Sequence, residues 1–107
     1  MDQITRISRM EHNLNEVADA IQALSSAAER YTHIQAQLQE LSDYYGSTQW
    51  FRDYDDDCAG KLPKDLPRGV LSEDAIYNIL SDHASVIAML KKILESEQTR
   101  EGNHREL

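Results

Sequence analysis

Apolar residues recur at Ile4, Ile7, Met10, Leu14, Val17, Ile21, Leu24, Ala28, Tyr31, Ile34, Leu38, Leu41 and Tyr45. The steps alternate between three and four, the spacing of one face of an α-helix. Neither glycine nor proline occurs from Asp2 to Tyr45, so the pattern predicts one long first helix. Met10, Val17, Leu24, Tyr31, Leu38 and Tyr45 keep a seven-residue repeat, whereas Ile7, Leu14, Ile21 and Ala28 are followed by Ile34 and Leu41 one residue early. The stripe therefore drifts round the helix, as it does on a nearly straight rod. Globular bundle packing is expected, with coiled-coil character towards the N-terminus. Ser25-Ser26 is the one place where a bend is expected, although nothing there forces a break. Gly46, after Tyr44-Tyr45, reads as a left-handed helix cap.

A second helix is predicted from Ser72, which can cap the free amides. Glu73 and Asp74 then meet the positive end of the helix dipole. Leu71 and Ile76 flank the cap in the positions of a hydrophobic staple. The apolar face is Ile76, Ile79, Leu80, His83, Val86, Ile87, Leu90, Ile93 and Leu94. Residues 96–107 are polar and are expected to form a disordered tail behind a single helical domain of residues 1–95.

Between the helices, Ser47 or Thr48 can cap a short helix carrying Trp50, Phe51 and Tyr54 at helical spacing, and Gly60 can end it. Aromatic residues so spaced usually belong to a core. Pro63 and Pro67 forbid helix through the following stretch. Leu62, Leu66, Val70 and Leu71 can pin it down, and Gly69 permits a turn. The predicted fold class is all-α: a long N-terminal helix and a shorter C-terminal helix in an antiparallel hairpin, joined by a short helix and a Pro/Gly-containing connector.

The two rods differ in length, roughly 60 Å against about 36 Å. Folded back, the last helix covers the first from Tyr45 to about Ile21. Ile4, Ile7, Met10, Leu14 and Val17 are left bare, which forgoes on the order of 8–15 kcal/mol of burial. A break near Ser25-Ser26, the middle segment, or a second copy with antiparallel N-terminal halves would cover them. The absence of a breaker residue favours the homodimer, and these five residues form the candidate self-association face.

The block YYGSTQWFRDYDDDCAGKLPKDLPRGVLSEDAIY resembles the signature of domain-of-unknown-function family 4298, in its YYGS–W and GKLP–DL–RGVLSED parts. The likeness runs over about residues 4–94. It implies a helical fold and a bacterial, cytoplasmic origin, and it supplies no catalytic residue.

The chain has 107 residues and a net charge of −8. That charge disfavours direct contact with nucleic acid. The lone Cys58 excludes an internal disulfide and suits a reducing cytoplasm. No apolar stretch is long enough to cross a bilayer. Asp53, Asp55 and Asp57 begin like a calcium loop, but Cys58 stands where its glycine should be and Lys64 where its glutamate should be. His12, His33, His83 and His104 lack ligand spacing, and His83 on an apolar face reads as a partly buried core residue. Cys58 has Lys61 nearby and no histidine partner in sequence. No catalytic, cofactor-binding or metal residue is assigned, and no cofactor is implied.

The function expected is that of a non-enzymatic module for protein interaction or self-association. Two alternatives remain: a ligand or metal binder using the acidic-aromatic turn, and an acidic inhibitor of a basic nucleic-acid-binding protein.

Overall fold

The computed structural model describes residues 2–105, with side chains through residue 101. The order is α1 (Gln3–His33), α2 (Gln35–Tyr44), α3 (Thr48–Cys58), a 3-10 turn (Gly69–Leu71) and α4 (Ala75–Arg105). No strand occurs among the described residues, and the fold class is all-α. By their contacts the residues group into two compact units, Met1–Gln39 and Glu40–Leu107. The sequence alone suggests one domain over residues 1–95. Contacts along a helix are local, so a long rod groups with itself.

In the first unit, the Asp2 carboxylate accepts from the Thr5 amide at 2.7 Å and starts α1. These bonds hold the Asp2 carboxyl below its ordinary value. The helix passes through Ser25-Ser26 without a break. The interruption comes at Ile34 instead, where ψ is 5°. There the Ile34 amide still donates to Arg30 O at 3.1 Å, and the Leu38 amide to Ile34 O at 3.0 Å. The Thr32 hydroxyl donates back to Ala28 O at 2.9 Å, a bond that tends to bend helices. The slip in the apolar repeat, between Ala28 and Ile34, falls on the same stretch.

In the second unit, α2 ends at Tyr44 and the chain reverses through Gly46 at φ 76°. The Ser47 hydroxyl then accepts from the Trp50 amide at 3.1 Å, so Ser47 rather than Thr48 caps α3. Gly60, at φ 72°, closes α3 while Ala59, Gly60 and Lys61 donate to the last carbonyls of the helix. The helix predicted from Ser72 begins at Ala75; the Ser72 hydroxyl accepts from the amide of that first residue at 3.2 Å and donates its own proton to Gly69 O at 2.9 Å.

The core is small: Trp50, Leu71 and Ile76 are buried, with Leu41, Tyr44, Tyr45, Tyr54, Leu62, Val70 and Leu80 packed against them. Leu71 and Ile76 thus meet in one cluster, as a staple should. Leu66, expected to help pin the connector, is exposed.

Of the apolar face expected on α4, only Ile76, Leu80, His83, Ile87 and Leu90 are at least half-buried. Ile79, Val86, Ile93 and Leu94 lie open. The inward face is therefore a narrow ridge, not the wide stripe expected. Residues 96–105 continue the helix, contrary to the disordered tail expected there. Thr99 donates to Glu95 O, and Arg100 pairs with Glu97 one turn earlier. The pairing of Arg100 with Glu97 on neighbouring turns adds a small local support to this polar stretch of helix. Residues 106 and 107, and the side chain of His104, lie outside the described part.

Candidate functional site

Each unit carries one candidate feature. In the first, α1 has no buried residue. Ile4 is 78% exposed and Leu14 63%, and Ile7, Met10, Val17, Ile21 and Leu24 are likewise open. Half-burial begins only at Tyr31, followed by Ile34 and Leu38. The bare stretch is therefore longer than the sequence suggests: Ile21, expected to be covered, is exposed, and so is Leu24. A single helix cannot bury its own apolar face, because the stripe runs along one side of a cylinder.

The second unit holds the signature block, drawn around Trp50. This side chain is 6% exposed, and its indole N–H donates to Val70 O at 3.1 Å. Tyr54 stacks on it at 5.3 Å, while Tyr45 and Phe51 meet it edge-on at 5.8 and 5.2 Å. Trp50 is thus core, as its spacing suggests. Phe51 is not: it turns outward and is 55% exposed.

The acidic residues of α3 separate. Asp53 accepts from the Tyr44 hydroxyl at 2.6 Å and from the Gln49 amide at 3.2 Å. Asp57 pairs with Arg68 at 2.6 Å, both side chains being partly buried. That pair ties the connector to α3, and Arg68 also donates to Lys64 O within the connector at 3.3 Å. Lys61 reaches Asp56 at 3.9 Å across open surface. All three aspartates of the calcium-like run lie on a regular helix, not in a turn. Successive positions two apart on a helix face nearly opposite ways, so they do not converge. Among the described residues no group of three His, Cys, Asp or Glu could hold a metal ion.

Burial, and then the bond to Asp53, push the Tyr44 phenol up to about 12. The Tyr54 hydroxyl donates to Glu73 at 3.1 Å. That bond raises its pKa, and neighbouring Cys58 adds to the rise. Cys58 is exposed at the end of α3. His83 is half-buried on α4; His12 and His33 are exposed on α1. Three tertiary bonds escaped the sequence: Trp50 to Val70, Tyr44 to Asp53 and Tyr54 to Glu73; the pairing of Arg68 with Asp57 is of the kind that balancing the acidic run with Lys61, Lys64 and Arg68 suggests.

The Domain of unknown function (DUF4298) matches residues 7–93. The chain belongs to this family. Its helices and the Trp50 cluster therefore describe a DUF4298 member, and the family description assigns no activity. No curated protein and no solved structure matches the chain. No helix of this DUF4298 member, among the described residues, is long and apolar enough to cross a membrane.

Proposed function

We propose that this chain is a non-enzymatic helical module that works by protein contact. Its binding face is the α1 stripe of Ile4, Ile7, Met10, Leu14 and Val17, and its partner is a second copy packed antiparallel along that stretch. The observation that supports this is the openness of all five side chains on a helix with no buried residue. Most helical stability in proteins comes from packing an apolar face, and α1 keeps such a face unused. Leaving those five side chains in water forgoes on the order of 8–15 kcal/mol, comparable to the net stability of a whole domain. The polar side chains around Trp50 engage one another in ways that hold the connector to α3, which suits a structural role better than catalysis. The lone, exposed Cys58 suits a reducing cytoplasm.

Sedimentation equilibrium from low micromolar to submillimolar concentration tests the proposal. The wild type is expected to pass from monomer to dimer mass. Ile7→Asp with Leu14→Asp should remain monomeric throughout. Ile7→Ala with Leu14→Ala, which does not lower helix propensity, should shift the transition to higher concentration. A wild-type mass that stays monomeric over the whole range overturns it.

A further inference from the structure

The second unit carries an aromatic recess that self-association through α1 leaves unused. Tyr45, Trp50, Phe51, Tyr54, Asp55 and Glu73 line a cavity of about 470 Å³. Trp50 forms its floor, with Tyr54 stacked against it and Phe51 edge-on. The Phe51 ring stands in water although it touches the core tryptophan. Two carboxylates join these rings. Glu73 is held by the Tyr54 hydroxyl, which leaves its second oxygen to accept another donor. The Asp55 side chain has no hydrogen-bond or ion-pair partner among the described residues, and no basic residue lines the recess.

Ring faces carry negative charge density and attract cations, and the two carboxylates add full charges of the same sign. An anion would meet repulsion from every wall. A neutral apolar ligand would strip water from the carboxylates without replacing it. The volume exceeds what a bare metal ion needs, and the residues do not form a metal-binding group. A planar guanidinium meets both demands: it lies flat on an aromatic face and forks its N–H donors towards a carboxylate.

We propose that this recess receives an arginine side chain presented by a partner protein. Phe51 and Tyr54 stack on the guanidinium, while Glu73 and Asp55 accept its hydrogen bonds.

Trp50 is the only tryptophan in the chain, so its fluorescence reports on the recess floor. The full chain is titrated with an amide-capped glycine-arginine-glycine peptide and with the same peptide carrying citrulline, a neutral isostere. A saturable change with the arginine peptide is expected, with the citrulline peptide weaker by about tenfold or more. Phe51→Ala and Glu73→Gln should each weaken binding several-fold. Both positions are exposed, and circular dichroism checks that the fold persists. Asp65→Asn, an exposed acidic position outside the recess, should leave binding unchanged. Any of four results overturns the proposal: no saturable change, equal response to citrulline, indifference to Phe51→Ala, or an equal loss on Asp65→Asn.

Discussion

Trp50 shows how much one side chain does in so small a core. Its ring is the floor for three other aromatics, and its N–H satisfies the carbonyl of Val70, twenty residues away. Trp50→Phe keeps an aromatic ring but strands that carbonyl and leaves unfilled space. A loss of about 1–3 kcal/mol is expected, read as a lower urea midpoint at unchanged slope. Tyr44 gives a test in pH. Its folded-state pKa, about 12, lies above the ordinary 10.0. The folded chain therefore holds this proton more tightly than the unfolded chain does. The stabilisation is complete below pH 10 and fades as pH rises towards 12. Tyr44→Phe lacks the bond to Asp53 at every pH. The stability gap between wild type and Tyr44→Phe should accordingly shrink across that window in pH-jump unfolding.

At the scale of elements, boundaries are set by single residues whose chemistry can be read directly. Gly46 sits at φ 76° with nothing within 4 Å of an added Cβ, so its requirement is conformational and not steric. Gly46→Ala is expected to cost about 1–2 kcal/mol. Ser47→Ala, which removes the α3 cap, should cost about 1 kcal/mol. Gly69 has no positive φ and equally open surroundings; the turn before α4 does not require glycine, and Gly69→Ala should leave the melting temperature almost unchanged. These caps, the long first helix and the staple of Leu71 with Ile76 were all legible, because each depends on neighbours within a few positions.

The interruption at Ile34 coincides with the repeat slip after Ala28, which in sequence reads only as the drift of a nearly straight helix, and the bend expected at Ser25-Ser26 does not occur. Serine is a poor marker of a break, since a helix accepts it at modest cost. Phe51 and Leu66 lie open although their positions suggest packing, because periodicity assigns a face without saying how much partner surface lies opposite it. The pairing of Tyr44 with Asp53, and of Tyr54 with Glu73, depends on how α2, α3 and the connector meet, which spacing along one element cannot encode.

For the whole molecule, the central feature is an apolar face on α1 that its own unit leaves bare. Charge keeps such a chain in solution but does not remove the drive to bury seven large side chains between Ile4 and Leu24. A lone helix also frays, because its amides are guarded only by their own ladder. The most direct measurement is therefore amide hydrogen exchange along α1 as a function of protein concentration. Protection at Ile4–Leu24 should rise with concentration, while amides around Trp50 keep the same protection at every dilution. Amides in Ile4–Leu24 that exchange at one rate from the most dilute to the most concentrated sample would contradict association through this face.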